Sequence, residues 1–502
     1  MQAGRHLEAQ LCCQKALAAD PDYTDALHLM GLLCLQARQY DHAIEWIARA
    51  NQQDTNTDYL FSLGTALEQQ GLPQEALKAY NRAALLKPDD ADLLASRGTL
   101  LHHLKRFDEA VADNLRAHVL KPESPYICNN IGAALQLLRR DEEALPWFDK
   151  ALQRKPDFVM ALINKASSLA QLRRLDAAIE AYHQVKALDP ANAEADAYLS
   201  LIHLLIGDFE TAWTKYTARW KGQVAQRLWL GQGDITGKTI LIFSDEGIGD
   251  TIQLVRYIPM LAARGAKIVL MVEEVLHPLL SGLQGVTHCV GKFPPYPPFD
   301  LHCPITTLPL AAGTRLETIP SSASYLPPPA PERVQTWEQR LSERAGGVRK
   351  RRVGLVWSGN PLHTNDHNRS IPLRALLPLL AADATFVSLQ KDPRPEDRAA
   401  LQAGGIIDLS SGLTDYAETA ALVSCLDLVI SVDTSAAHLA AALGRPTWIL
   451  LPYLPDFRWL LDRDDSPWYP TVRLFRQSAS RDWAEVIDRA RRALDEQIGA
   501  VG

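Results

Sequence analysis

The chain has 502 residues, 47% of them apolar, and a formal net charge of −7 from 52 Lys and Arg against 59 Asp and Glu. This length predicts about three domains, and the ordinary apolar fraction excludes a mainly disordered protein. The acidic balance argues against a nucleic-acid partner, because neutralising phosphates needs a basic surface.

The sequence gives no sign of a membrane span or of secretion. It has no run of about 18 apolar residues, and its N-terminus lacks the apolar core and cleavage site of a secretory signal. The cysteines are scattered and show no metal-ligand spacing. We therefore expect a cytoplasmic protein with mostly buried, unpaired thiols. They are Cys12, Cys13, Cys34, Cys128, Cys289, Cys303 and Cys425.

The first half of the chain repeats with a period of 34 residues, as the spacing from Pro88 to Pro122 shows. Small residues recur in register, which predicts helix pairs that cross closely, and a bulky residue follows the second small series at a spacing of four. The small series are Gly31, Gly64, Gly98, Gly132, Ala166 and Ala43, Ala76, Ala110, Ala144, Ala178, Ala212. The bulky series is Ile47, Tyr80, Phe148, Tyr182 and Tyr216, with Asn114 as the exception.

Segments such as "QEALKAYNRAALLKPDDADLLASRG" resemble tetratricopeptide repeats. Full units begin near residues 24, 57, 91, 125 and 159, and a sixth near 193 lacks the closing proline. The chain starts inside the second helix of a further unit, so we expect the N-terminal cap to be missing or atypical. The resemblance implies a helical superhelix over residues 1–222 that binds a protein on its concave surface.

Two roles for the repeats stay open. Either they bind an acceptor protein, or they only stabilise the rest of the chain or form homo-oligomers. Asn81, Asn114 and Asn164 are candidates for bonding an extended peptide backbone. The alternative for these three is a solvated helix face.

The second half changes its pattern. Short apolar runs alternate with helical segments, which predicts βαβ units and parallel sheets. Eleven of the 31 prolines fall in residues 294–331 and mark a linker. We therefore predict two α/β lobes, 230–330 and 345–502, with a closing C-terminal helix and a ligand cleft between the lobes. The predicted strands are 239–243, one in "AKIVLM", 353–357, 384–389, 428–432 and 447–451.

The segment "SDEGIGDTIQ" places a glycine-containing loop between a strand and a helix. Gly249 lets a ligand approach the backbone N–H groups. Asp250 is either an N-terminal helix cap or a general base in the cleft. Asp245 and Glu246 are rival candidates for the base.

The segment "SVDTSAAHLAAALGRPTW" places a helix start directly after a strand that ends at Asp433. Thr434 and Ser435 supply hydroxyls there, and free N–H groups at the positive helix end favour a pyrophosphate. Both residues are also ordinary capping residues. His438 either hydrogen-bonds a phosphate or is an interior histidine.

The segment "WSGNPLHTNDHNRSIPL" is a polar loop that follows a strand, and such loops often bind ligands. Ser358, Asn360 and Ser370 are candidate ligand contacts, Arg369 offers a bidentate fork to phosphate oxygens, and Lys391 follows a later strand. The spacing of His363 and His367 would suit a metal site on a helix. Pro361 favours a loop in this segment, so we expect no metal site there.

Together "EGIGD", "WSGN…NRS" and "SVDTSAAHLA…GRPTW" resemble the heptosyltransferase-type glycosyltransferases of family 9, over about residues 235–480. The layout also resembles protein O-GlcNAc transferases and bacterial flagellin glycosyltransferases. The resemblance implies two Rossmann-like lobes of the GT-B fold, a nucleotide-sugar donor, inversion at the anomeric carbon, and no metal or other cofactor.

The family's residues carry over by motif. Asp250 matches the base of the Gly-Asp motif, and Thr434, Ser435 and His438 match the phosphate-binding helix start. Arg369 takes the place of a phosphate-binding Lys or Arg. We thus expect an inverting, metal-independent glycosyltransferase whose acceptor is a protein recruited by the repeats. The alternatives are a heptosyltransferase-like enzyme of lipopolysaccharide or other glycans, and a non-catalytic scaffold with a relic sugar-nucleotide domain.

Overall fold

The computed structural model describes residues 2–216, 227–347 and 350–499. The chain divides into two compact units, Met1–Ala195 and Asp196–Gly502. Within the described ranges, no helix has both the length and the apolar character needed to cross a membrane.

The first unit consists of antiparallel helix pairs, which confirms the predicted repeat array. In several repeat pairs, a side chain caps the N-terminus of the first helix. For example, Asp90 accepts hydrogen bonds from the backbone N–H groups of Asp92 and Leu93. The helices are α1 Gln2–Ala19, α2 Thr24–Gln36, α3 Tyr40–Gln53, α4 Thr57–Gln69, α5 Pro73–Leu86, α6 Ala91–His103, α7 Phe107–Leu120, α8 Pro125–Leu137, α9 Asp141–Arg154, α10 Val159–Gln171 and α11 Leu175–Leu188.

The small residues lie where the two helices of a pair cross. At Gly132 of α8, an added Cβ atom would come within 2.5 Å of the Phe148 ring of α9. Gly64 faces Tyr80 in the same way in an earlier pair. The bulky residue therefore fills the space that the missing side chain leaves, and the predicted spacing has a direct steric cause.

Asn114 occupies the bulky position of its repeat and is 1% exposed. It packs against Gly98, and its Nδ2 donates to the carbonyl oxygen of Ala110 at 2.8 Å. Its prediction as a peptide-binding residue is therefore wrong, because the side chain is inside the helix pair. Of the other two candidates, Asn81 accepts from Arg97, and the Asn164 amide donates to Asn129.

The second unit contains two parallel sheets, as predicted. The first has the strand order β3-β2-β1-β4 and the second β10-β9-β8-β5-β6-β7. The strands are β1 Thr239–Phe243, β2 Lys267–Met271, β3 Val286–Val290, β4 Leu301–Pro304, β5 Arg351–Val356, β6 Ala384–Ser388, β7 Ile406–Asp408, β8 Leu428–Val432, β9 Thr447–Leu451 and β10 Val472–Arg476.

Helices cover these sheets and fill the connections between parallel strands. They are α12 Ala193–Leu205, α13 Phe209–Tyr216, α14 Ile248–Leu254, α15 Ile258–Ala263, α16 His277–Leu280, α17 Leu308–Ala311, α18 Pro331–Arg344, α19 Asp366–Arg369, α20 Leu373–Leu376, α21 Arg398–Gln402, α22 Tyr416–Ser424, α23 Ser435–Ala442 and α24 Trp483–Gly499. The last of these is the predicted closing helix, and it packs on the second sheet through Val486 and Leu494.

The last two repeat helices share a core with the first sheet. Phe209 and Trp213 of α13 lie in one buried cluster with Trp229, Ile240 and Trp468. The predicted boundary at residue 222 lies outside the described residues. Both sheets fall within the predicted lobes 230–330 and 345–502, whose limits stay predictions.

Replacing Asn114 with Leu should stabilise the repeat array. The Oδ1 atom of Asn114 is buried without a hydrogen-bond partner, and Leu removes that uncompensated polar atom at similar volume. We expect the free energy of unfolding in urea to rise by about 1–2 kcal/mol. The control Gln52→Leu at an exposed site on α3 should change it by less than about 0.5 kcal/mol. A destabilised Asn114→Leu variant would show that Asn114 has a partner or a role that this packing does not reveal.

Candidate active site

Asp250 is the third residue of α14, directly after the loop that follows β1. Its Oδ2 atom accepts a hydrogen bond of 3.0 Å from the Gly247 backbone N–H. Asp250 therefore caps the helix, which is one of the two roles predicted for it. Its side chain is still 21% exposed. A carboxylate accepts up to about four hydrogen bonds, and capping therefore leaves room for a second role.

Gly249 brings the two lobes together. A Cβ atom at this position would lie 3.0 Å from the His438 ring and 3.5 Å from the Ser435 Cα atom, both on α23 of the other lobe. The absence of a side chain lets the start of α14 approach the start of α23. Two predicted segments that lie almost 200 residues apart in the chain are thus neighbours.

The start of α23 retains unpaired backbone donors. Thr434 precedes the helix, and no side chain caps it. The two hydroxyl groups bond elsewhere: Thr434 Oγ1 lies 3.0 Å from Ser431 Oγ, and Ser435 Oγ lies 2.6 Å from the Tyr416 hydroxyl. The backbone N–H groups and the positive end of the helix can therefore receive an anion.

His438 is buried at the meeting point of the lobes. Its Nδ1 atom lies 2.8 Å from the Tyr469 hydroxyl, and its ring stacks on Trp459 at 5.3 Å. Burial raises the pKa of Tyr469 well above its ordinary value, so this hydroxyl stays protonated at neutral pH. The Nε2 atom points towards Asp433, at 3.7 Å. His438 is therefore fixed in orientation, with one nitrogen directed into the site.

Asp433, beside His438, and Asp456 have opposite pKa shifts. Burial acts to raise the pKa of Asp433, but the neighbouring His438, Trp459 and Arg369 outweigh it and lower that pKa. Burial and the charge of Asp433 raise the pKa of Asp456 to about 7, although the Arg458 backbone N–H opposes them. About a third of the Asp456 side chain is exposed (35%), so water moderates the burial contribution. The pair therefore favours one ionised and one protonatable carboxyl group.

The polar loop after β5 is held close to the backbone of that strand. The Ser358 N–H donates to Gln390 Oε1 at 3.0 Å, while the Ser358 hydroxyl is buried without a hydrogen-bond partner. Ser370 accepts from the Gly359 N–H at 2.9 Å and donates to Asp366 at 2.7 Å. The buried Ser358 hydroxyl is available to a ligand, whereas the Ser370 hydroxyl fixes the loop.

The other candidates on this side differ in placement. Arg369 packs against Gly359 and donates to the Asp433 carbonyl oxygen at 3.0 Å, which brings it to the start of α23. Asn360 is exposed and forms a turn by accepting from Leu362, and Lys391 is exposed. His363 and His367 fall in or beside the short helix α19, and in the described ranges no three His, Cys, Asp or Glu residues are placed to hold a metal ion.

Arg458 is a site residue that the sequence analysis missed. It lies on the turn after β9, and its Nη2 group donates to Asp250 Oδ1. It also donates to Gln253 Oε1 at 2.5 Å and to Asp456 Oδ1 at 2.6 Å. One guanidinium thus joins α14 to the segment after β9. The only available signal was an arginine among aromatic residues, in "DFRWL", which by itself does not indicate a site.

Arg476 of β10 holds the turn that carries Arg458. Its guanidinium donates to the carbonyl oxygens of Trp459 at 2.5 Å, Leu460 at 2.9 Å and Arg463 at 2.7 Å. Leu460 has φ of 51°, a backbone conformation that costs a non-glycine residue about 1–3 kcal/mol. These hydrogen bonds offset that strain and keep Trp459 stacked on His438.

The rival carboxylates are placed differently from Asp250. Asp245 accepts two hydrogen bonds from Thr306, from its N–H at 3.1 Å and from its hydroxyl at 2.5 Å. It thereby ties the end of β1 to the segment after β4. Glu246 is exposed. Asp250 contacts Arg458 of the other lobe.

Comparison with protein families supports both halves of the predicted organisation. Tetratricopeptide-repeat models match residues 24–185 and 163–234, and the glycosyltransferase family 9 (heptosyltransferase) model matches residues 399–450. The chain thus carries tetratricopeptide repeats, followed by a stretch that matches the family 9 glycosyltransferase model. The family 9 match contains Asp433, Thr434, Ser435 and His438, whereas Asp250 and the 357–373 loop lie outside it.

A curated relative and several solved structures resemble parts of the chain. Protein FlbA of Caulobacter vibrioides is 27% identical over an alignment of 328 residues, and this alignment covers 58% of this chain and 53% of FlbA. The chain thus matches about half the length of that relative. The crystal structure of YrrB, a TPR protein with an unusual peptide-binding site, has 18% identity and a TM-score of 0.34, and it covers 36% of this chain and 95% of YrrB. The Pseudomonas aeruginosa pilF structure has 22% identity and a TM-score of 0.36, and it covers 40% of this chain and 93% of pilF.

Replacing Asp245 with Ala should destabilise the first lobe, because Thr306 loses two hydrogen bonds. We expect the free energy of unfolding to fall by about 1–3 kcal/mol, whereas the matched variant Glu246→Gln at an exposed carboxylate should change it by less than about 0.5 kcal/mol. Urea unfolding followed by circular dichroism measures both. Unchanged stability in Asp245→Ala would contradict a structural role for Asp245 and restore it as a candidate base.

Proposed function

We propose that the chain is an inverting glycosyltransferase that moves a sugar from a nucleotide-sugar donor to a protein acceptor recruited by its repeats. The observation that carries this proposal is the contact between the starts of α14 and α23. It places the capping carboxylate of Asp250 beside a helix start that suits a diphosphate. The family 9 match over residues 399–450 supports the same chemistry.

The donor diphosphate would bind the second lobe. The first backbone N–H groups of α23 would bind it, Arg369 supplies a guanidinium at the same helix start, and His438 directs Nε2 towards Asp433 there. The buried Ser358 hydroxyl is a further donor or acceptor for the nucleotide. Lys391 and Asn360 are exposed and remain proposed contacts of the donor.

The reaction is a direct displacement. The acceptor hydroxyl oxygen attacks the anomeric carbon, its proton passes to the Asp250 carboxylate, and the bond between that carbon and the phosphate oxygen breaks. The nucleoside diphosphate leaves with the electron pair. Arg369 and the start of α23 stabilise the negative charge on the leaving oxygens, which grows in the transition state. This charge stabilisation comes from the protein's own groups, and we propose that no metal takes part.

The repeats are the proposed site for the acceptor protein. Tetratricopeptide arrays present an extended surface to partners, and the repeat models cover most of the first unit. The last repeat helix, α13, packs through Trp213 against Phe457, the neighbour of Arg458. The catalytic unit therefore includes repeat structure next to the proposed site.

Replacing Asp250 with Asn should abolish transfer without weakening donor binding. Asn keeps the size and the capping oxygen but cannot accept the acceptor proton, and loss of a general base costs about 100- to 10,000-fold in rate. Transfer is measured as nucleoside diphosphate released from a panel of nucleotide sugars in the presence of acceptor protein. Full activity in Asp250→Asn would refute its assignment as the base.

Intact-mass spectrometry of candidate acceptor proteins after co-expression tests the acceptor class. A mass increase of whole sugar units on a protein, absent with Asp250→Asn, supports protein glycosylation. Sugar transfer to lipopolysaccharide or another glycan alone would favour the heptosyltransferase-like alternative. Failure of every nucleotide sugar to bind would favour the scaffold alternative.

A further inference from the structure

Arg458 differs from the other buried arginines of the site in what it pairs with. Arg369 donates to the carbonyl oxygen of Asp433 at 3.0 Å and lies 3.9 Å from a single carboxylate, that of Asp366 in its own lobe. Arg256 donates to backbone carbonyls and to the Tyr325 hydroxyl among aromatic rings. Arg458 instead pairs with two carboxylates, Asp250 of one lobe and Asp456 of the other. It neutralises the proposed base directly.

Arg458 also lies next to the proposed diphosphate site. The following residue, Trp459, stacks on His438, and the His438 ring contacts Gly249 beside Asp250. The Arg458 side chain is 12% exposed, so its interactions with anions are weakly screened by water. Rotation about its side-chain bonds moves a guanidinium by several ångströms without backbone movement.

A diphosphate competes strongly for such a guanidinium. It carries more charge than a carboxylate, and it offers several oxygens to the planar fork of an arginine. We propose that Arg458 is an exchangeable diphosphate ligand, which pairs with Asp250 in the present structure and transfers to the diphosphate of a bound nucleotide. This inference rests on the proposed function, because it assigns Asp250 as the base that the exchange releases.

The exchange couples donor binding to base activation. While Arg458 is paired with Asp250 Oδ1 and the Gly247 N–H donates to Oδ2, the positive charge of Arg458 opposes proton transfer to this carboxylate. Once Arg458 turns to the diphosphate, Oδ1 is available to the acceptor hydroxyl. The carboxylate would then be the better base when the donor is present. A fixed ion pair that merely fastens the lobes would show no such coupling.

Calorimetric titration with inorganic pyrophosphate and with ADP, GDP, UDP and CDP separates the two roles. Exchange predicts that Asp250→Asn binds the best of these probes about 3- to 10-fold more tightly than the wild type, because the competing carboxylate charge is gone. Arg458→Gln should bind it about 10-fold or more weakly. The double variant should bind like Arg458→Gln, since without Arg458 the Asp250 charge no longer competes for it.

Matched controls keep the test interpretable. Arg333→Gln removes another arginine–carboxylate pair, with Glu418, that includes no residue of the proposed site and should leave affinity unchanged. Arg458→Lys keeps the charge without the planar fork and should fall between the wild type and Arg458→Gln. If Arg458→Gln does not fold, Arg458→Lys takes its place in the titration.

Each outcome decides the proposal. Unchanged or weaker binding by Asp250→Asn overturns the exchange and leaves a fixed pair between the lobes, while wild-type binding of the probes keeps the proposed function intact. Equal binding by Arg458→Gln and the wild type overturns the assignment of Arg458 as a ligand. If the wild type binds none of the five probes, both the exchange and the proposed donor class fail.

Discussion

The site depends on one steric fact: the start of α14 can touch the start of α23 because Gly249 has no side chain. A Cβ atom there would lie 3.0 Å from the His438 ring, closer than packed side chains normally approach. Around this contact the structure brings together Asp250, the unpaired N–H groups of α23 and Arg458. Every part of the proposed chemistry uses groups fixed by that approach.

The charges at this contact explain how Asp250, an ordinary helix cap, can also act as the proposed general base. Asp250 satisfies the Gly247 N–H, and Arg458 balances its charge inside a protected interface. The cost of burying these charges is offset only while they remain paired. An incoming anion changes the pairing, and the structure of the site is therefore linked to its occupancy. Arg476 keeps the turn that carries Arg458 in place by donating to the Trp459 carbonyl oxygen.

The sequence predicted the fold well because its signals are local. The crossing of α8 and α9 needs Gly132 opposite Phe148, and β1 follows from a short apolar run that ends where the polar loop begins. The strands β3, β4, β7 and β10 were missed, because β4 and β7 have only four and three residues and because polar residues interrupt β3 and β10. Asn114 was misplaced because a polar residue in a buried repeat position looks, from sequence alone, like a solvated one. Arg458 could not be found, because its partners Asp250 and Gln253 lie some 200 residues earlier in the chain.

A crystal structure of the full chain with a bound nucleoside diphosphate tests the central claim most directly. The account predicts diphosphate oxygens within hydrogen-bond distance of the first backbone N–H groups of α23 and of the Arg369 guanidinium, next to Gly249. A diphosphate bound elsewhere in the chain, with the start of α23 making no contact to it, would contradict the account.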